Sequence, residues 1–329
     1  MARIFPALLA VFFALVPFAS CSKDKDPGTE KLRPVTLRLQ WLIQTQFAGY
    51  YVALEKGYYK EAGLDVRIEE GSYGKNNLAT VSEGLEEFGT KWIFDLMPQA
   101  ERIVILANIM KDNGLLFVSK NNRGIRSVRD FAGRRVSVWF IGNEYQLFAM
   151  LDNAGVPRNS VNMVAQHFDL SQFLKDEVDV IAAMSYNEVL QLQKTGYPAD
   201  TLSIIDPASV GASFPGDSIF TSRSFFEKNP ETCKKFVEAS IRGWEYAIRY
   251  PEEATRIVLN HDKKGRLGKE QQLDQMVNII KLIRSDRWPV GTIDTKSLSN
   301  TVYFARRYGF LKTDLPMQSL YWKARAEKQ

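Results

Sequence analysis

Two tryptophans and four carboxylates are the side chains of this sequence best able to grip a small molecule. Trp41 is followed by Gln44 and Gln46, and Trp92 by Asp95; Glu144, Asn187, Glu188 and Asp217 stand farther along. An indole face stacks on a flat ring, which is worth about 0.5–1.5 kcal/mol beyond area burial. A carboxylate accepts from N–H donors, at about 1.5–3 kcal/mol for a hydrogen bond with one charged partner. Gathered around one cleft, these groups would hold a flat, N–H-bearing molecule. Each also has a structural reading: Trp41 as a core aromatic, Gln44 and Gln46 as ordinary loop, the carboxylates as helix caps. Glu144 and Glu188 in particular fall in apparent first turns, where a negative charge suits the helix dipole.

The elements that must position them follow from hydrophobic periodicity. Val35 to Gln40 alternates apolar and polar residues, the period of a half-buried strand, so Trp41 sits at a strand's carboxyl end. From Phe47 the period changes, and Phe47, Tyr50, Tyr51, Ala53 and Leu54 line one helical face before Gly57 and Gly63. A second strand follows from Leu64, a helix through Leu78, Val81 and Leu85, and a third strand at 87–90 that leads into Trp92 and Asp95. Apolar runs at 102–109 and 115–119 suit buried parallel strands. After the polar break at Asn121, strands and helices alternate again through Lys194, and the helix opened by Gly142-Asn143-Glu144 belongs to this stretch. Such alternation predicts an α/β fold of two doubly wound lobes, each a parallel sheet flanked by helices, with ligand held outside the strands' carboxyl ends.

From Gly211 the pattern runs through a turn into a strand-like segment and then into helices at 231–250, 253–259, 269–283 and 295–308. These are too amphipathic to stand alone and are expected to pack back on the first lobe. Trp244, Tyr246 and Tyr250 form an aromatic stripe read as core. The expected division is 35–120 with 213–329 as one lobe and 121–212 as the other, the chain crossing near 120 and near 213.

At 329 residues and 45% apolar content the chain can bury one large core or two ordinary ones. A formal net charge of +5, spread along the chain, argues against a nucleic-acid partner. The amino terminus reads as an export leader over 1–20: Arg3, an apolar run from Ile4 to Phe18, then Ala19-Ser20-Cys21. Cys21 is the lipid acceptor expected of a lipoprotein, and the alternative, a retained membrane helix, has to accommodate a short run with Pro6 and Pro17. Residues 21–34 read as a solvated tether. With Cys21 lipidated, Cys233 has no partner for a disulfide. His167 and His261 lie far apart without metal-ligand spacing, and neither a Gly-Xaa-Ser-Xaa-Gly elbow nor a phosphate-cradling loop is present. No catalysis, metal or cofactor is expected.

The run from Trp41 through Gln46 to Gly49, continuing Tyr51-Val-Ala-Leu-Glu-Lys-Gly-Tyr-Tyr-Lys-Glu-Ala-Gly, resembles the opening of the solute-binding proteins related to the thiamine-pyrimidine precursor family. Trp92 to Asp95, Gly142-Asn143-Glu144, Glu177-Val-Asp-Val-Ile to Asn187-Glu188, Gly216-Asp217-Ser218-Ile219-Phe220-Thr221-Ser222 and Arg242-Gly-Trp-Glu-Tyr-Ala-Ile continue it over roughly 35–260. Ile43 stands where a Pro is common, and Ser213-Phe-Pro where an aromatic pair is usual. The resemblance implies a type II periplasmic binding protein fold and a monomer, lipid-anchored in the cell envelope, facing the periplasm or cell exterior. It would deliver a small aromatic compound, such as a thiamine pyrimidine precursor, to an ABC permease. Trp41 and Trp92 would stack the pyrimidine, and Asp95, Glu144, Glu188 and Asp217 would accept from its exocyclic amine. The same fold used as a sensing module, signalling through a separate membrane partner, is the alternative. The resemblance also extends to a eukaryotic branch that makes the pyrimidine from its own histidine with a pyridoxal cofactor; Phe47 stands at that position here, and that branch's cysteine-rich segment is absent.

Overall fold

The computed structural model describes Met1, residues 31–72 and residues 77–325. By its contacts the chain divides into Met1–Lys31 and Leu32–Gln329, and the second unit holds every element below. The expected leader, Cys21 and most of the expected tether lie outside the described residues.

Among the described residues, ten strands build two five-stranded sheets. The first contains β1 (Arg33–Arg38), β2 (Leu64–Glu69), β3 (Phe88–Trp92), β4 (Ile103–Asn108) and β10 (Asp217–Ser222), in the order β2-β1-β3-β10-β4. The second contains β5 (Leu115–Lys120), β6 (Arg135–Val138), β7 (Asn162–Ala165), β8 (Val180–Met184) and β9 (Leu202–Ile205), in the order β7-β6-β8-β5-β9. The helices are α1 (Ala48–Glu55), α2 (Tyr58–Glu61), α3 (Asn77–Ser82), α4 (Ile93–Leu96), α5 (Glu144–Ala154), α6 (Ser171–Leu174), α7 (Glu188–Lys194), α8 (Arg223–Lys228), α9 (Pro230–Arg249), α10 (Pro251–His261), α11 (Lys269–Ile283) and α12 (Thr295–Arg307).

Two differences from the sequence reading share one cause. Neither sheet is wholly parallel: β10 runs antiparallel to β3 and β4, and β5 antiparallel to β8 and β9. Both strands are the ones reached when the chain passes directly from one sheet to the other, without the helical crossover that keeps successive strands parallel. The passage also comes earlier than 120, within 109–114, because Leu115–Lys120 pairs in the second sheet. A short apolar run carries no mark of the sheet it joins.

The helix α1 is buried over Ala48–Ala53 and is the centre of the first lobe's core. Against it lies α9, whose Pro230 occupies the first turn, where the missing N–H costs nothing. Two glycines permit the approach: a Cβ at Gly243 would overlap the Gly49 carbonyl, and a Cβ at Gly49 would overlap the Trp244 ring. Along the aromatic stripe Trp244 is core as expected, Tyr246 is half-buried and Tyr250 is exposed. β4, apolar but for Asn108, lies at a sheet edge, yet it is buried throughout because Gly291 and Tyr321 bridge to its outer side.

Candidate ligand-binding site

Topology, rather than sequence proximity, assembles the site. Because β10 is antiparallel, its first residue, Asp217, lies beside the last residue of β3, Trp92, and so beside the loop that leaves β1. The Asp217 carboxylate is fully buried and accepts three side-chain donors: Gln40 Nε2 at 2.6 Å, Trp92 Nε1 at 3.1 Å and Gln46 Nε2 at 3.0 and 3.2 Å. Burial pushes its pKa up to about 6, against the pull of these bonds and the Lys91 charge. Gln44 donates to Gln46 Oε1 at 2.6 Å and accepts from Gln275 at 3.0 Å, so the loop's amides form one chain. Tyr50 and Tyr186 both lie near the carboxylate; burial first and the Asp217 charge second hold their hydroxyls neutral. Among the described residues, the buried Tyr50 hydroxyl finds no hydrogen-bond partner.

A second group centres on Asp95, in the first turn of α4 directly after Trp92. Its carboxylate lies 3.8 Å from Lys91 Nζ. Desolvation raises its pKa to about 6, Lys91 opposing and the Glu144 charge adding to the rise. Gly142, in the loop after β6, faces it across the two sheets: its φ is +123°, and a Cβ there would overlap the Asp95 carboxylate. A hydrogen bond from the Lys91 side chain also opposes the rise.

Glu144 and Glu188 behave differently. Glu144 Oε2 accepts from the Gly142 N–H at 2.9 Å, and Glu188 Oε2 from the Met184 N–H at 2.9 Å, so each ties down the loop before its own helix. Burial raises the pKa of both. Asn187 donates to Glu188 at 2.7 Å and accepts from Gln191 and Gln271. The charges of both Asp217 and Glu188 reach the buried Tyr186 hydroxyl. Trp41 is half-buried, and its ring lies 5.9 Å from that of Phe168, in the loop after β7 of the second sheet.

Gln44, Gln46, Trp92 and Asp217 are thus joined directly, Asp95 meets Glu144's loop, and Asn187 and Glu188 form a third group. Sequence reasoning missed Gln40, Phe168 and the glutamines of α11. Gln40 is the last residue of the alternating run and pointed toward the site; Gln272 and Gln275 carry no local signal, being two polar residues of an amphipathic helix. Among the described residues, no three His, Cys, Asp or Glu side chains gather as a metal site, and no helix is long and apolar enough to cross a membrane.

Relatives agree with this architecture. The riboflavin-binding protein RibY of Chloroflexus aurantiacus is 25% identical over 320 residues, 94% of this chain and 89% of that protein. The formylaminopyrimidine-binding protein of Halalkalibacterium halodurans is 21% identical over 320 residues, 94% of each. A 4-amino-5-hydroxymethyl-2-methylpyrimidine phosphate synthase of Saccharomyces cerevisiae is 21% identical over 234 residues, 67% of this chain and 68% of that protein. The periplasmic aliphatic sulphonate binding protein SsuA of Escherichia coli has the same two-lobed fold, with a TM-score of 0.70 at 13% identity over 88% of this chain and 92% of that one. Matched by the family model over residues 44–254, well over half its length, this chain belongs to the NMT1/THI5 like family.

Proposed function

We propose that this protein is the solute-binding component of an ABC importer and captures a small planar nitrogen heterocycle, such as a thiamine pyrimidine precursor, between its two lobes. The observation that carries the reading is the Asp217 carboxylate, buried at the strand ends and fixing Gln40, Gln46 and the Trp92 indole around it. Beside it, Asp95 keeps acceptor capacity for a ligand N–H, while Trp41 and Trp92 supply ring faces. Four carboxylates against Lys91 make the surroundings hostile to an anion, which favours a neutral or cationic ligand over a sulfonate. The names of the two binding-protein relatives fit, since riboflavin and formylaminopyrimidine are both flat nitrogen heterocycles. In this reading Asp217 orients the site, Asp95 contacts the ligand, and Glu144 and Glu188 hold their loops.

Native mass spectrometry of protein purified without refolding should reveal a retained ligand. Calorimetric titration with formylaminopyrimidine and with riboflavin, using taurine as the anionic control, decides the class. Saturable binding of a heterocycle with none of taurine supports it; binding of taurine alone overturns it. We further propose that Cys21 carries the lipid anchor that holds the protein at the cell envelope, exposed to the permease. Changing Cys21→Ser should release the protein or leave an unprocessed precursor, and a processed variant still held at the membrane would refute the anchor. Stable anchoring needs more than one acyl chain, because a single chain binds only marginally.

A further inference from the structure

The helix α11 touches both halves of the cleft. One side of it holds the loop that carries the site residues: Thr45 N donates to Gln272 Oε1 at 2.7 Å, Thr45 Oγ1 donates to Gln272 O at 2.9 Å and to Gln275 Oε1 at 2.8 Å, and Gln275 Nε2 donates to Gln44 Oε1 at 3.0 Å. Gln44 continues to Gln46, and Gln46 to Asp217. Thr45, Gln46, Gln272, Gln275 and Asp217 are all buried, so breaking any link would leave a polar group unsatisfied away from water. From its other side α11 reaches α7, which follows the second sheet's β8: Lys194 Nζ lies 2.8 Å from Asp274 and 3.6 Å from Glu270, and Gln271 Nε2 donates to Asn187 Oδ1 at 3.4 Å. These contacts are exposed or half-exposed, so they can break at little cost.

The two sides therefore differ in kind. A buried, fully paired network faces the site loop, and a weak, solvent-facing latch faces the other lobe. We infer that α11 is the positioning element of the ligand site, with Gln272 and Gln275 as its positioning residues, and that its latch to α7 couples the approach of the lobes to the order of the 44–47 loop. When the latch is made, α11 is pressed onto the loop and the Gln44, Gln46 and Asp217 chain is rigid. When it opens, that pressure is released and the loop is held by the buried network alone. The inference rests on reading the cleft as the ligand site, but its test needs no ligand.

Amide hydrogen exchange on the full chain provides that test, read at Thr45 and Phe47, whose N–H groups are held by Gln272 and by the Gln44 carbonyl. The double variant Lys194→Ala/Gln271→Ala, which touches neither residue, should speed their exchange about threefold, the size expected for an exposed ion pair and one long hydrogen bond. Amides of β1 should keep their wild-type rates. Raised salt should speed Thr45 exchange in the wild type and leave it unchanged in Lys194→Ala, because the ion pair it screens is already gone. Gln275→Glu, which keeps the acceptor for Thr45 and removes the donor to Gln44, should loosen the loop less than Gln275→Leu. Wild-type exchange at Thr45 and Phe47 in the latch variant would overturn the coupling, and wild-type exchange in both Gln275 variants would overturn the positioning role. Failure to bind any heterocycle would overturn the ligand reading and leave these exchange results untouched.

Discussion

Asp217 shows how much a single buried carboxylate can organise. Three donors from two segments, the loop after β1 and the end of β3, converge on it, and each would be stranded if the acceptor were lost. Replacing Asp217 with Asn turns one acceptor oxygen into an NH2 group that faces existing donors. With a ligand identified by the titrations above, Asp217→Asn should weaken binding by about 1–3 kcal/mol, or roughly 5- to 150-fold. Trp41→Ala should cost about as much through lost stacking and area. Calorimetry on the folded variants checks both, and wild-type affinity in either would remove that residue from the site.

At the scale of elements, α1 and α9 pack close enough at Gly49 and Gly243 to leave no room for a side chain. A methyl group at Gly243 meets the Gly49 carbonyl, which belongs to backbone and cannot swing away. Gly243→Ala should therefore destabilise the protein by about 1–3 kcal/mol, the usual cost of overpacking, or more if the helices must part. Denaturant unfolding would show it as a lower midpoint at unchanged slope. Since α1 follows directly on the 44–47 loop, the same variant should also disturb the site. The proline starts of α9 and α10 act on a different link: Pro230 and Pro251 set where helices begin, and Pro251 forces Tyr250 before it out of helical geometry, ending α9 there.

Across the whole molecule, two buried acids leave a signature in stability. Asp95 and Asp217 each have a pKa raised from 3.8 to about 6, mainly by desolvation. The native state then binds more protons than the unfolded chain between about pH 4 and pH 6, so stability falls as pH rises through that window. Asp176, lowered to about 2 by Lys120 and Arg123, works in the opposite direction but only below about pH 4. Calorimetric melting should give a Tm that rises from pH 7 to pH 5 in the wild type, with a flatter profile in Asp95→Asn/Asp217→Asn. Parallel profiles would mean that both acids are solvated in solution.

Much of the fold was legible because it follows from local pattern. The alternation of Val35 to Gln40, the helical spacing after Phe47 and the apolar run of β4 each require only neighbouring residues, and they led to an α/β protein with Trp41 and Trp92 at strand ends. The motif around Gly216 and Asp217 likewise singled out the carboxylate on which Gln40, Gln46 and Trp92 converge. What local pattern does not encode is pairing partner and direction. Whether Leu115–Lys120 joins the first sheet or the second, and whether β10 runs parallel or antiparallel, depends on where the chain is returned in space, and only tertiary structure decided it. That decision brings Asp217 beside Trp92, 125 residues away in sequence. It also determined which carboxylates remained available: Glu144 and Glu188 are drawn to backbone N–H groups of their own loops, as any helix start invites. The glutamines of α11 reach Thr45 across 227 and 230 residues, through contacts that an amphipathic helix pattern does not reveal. Periodicity determines which face of an element is buried, whereas hydrogen-bond partners are settled when the buried faces meet and each polar group must be satisfied.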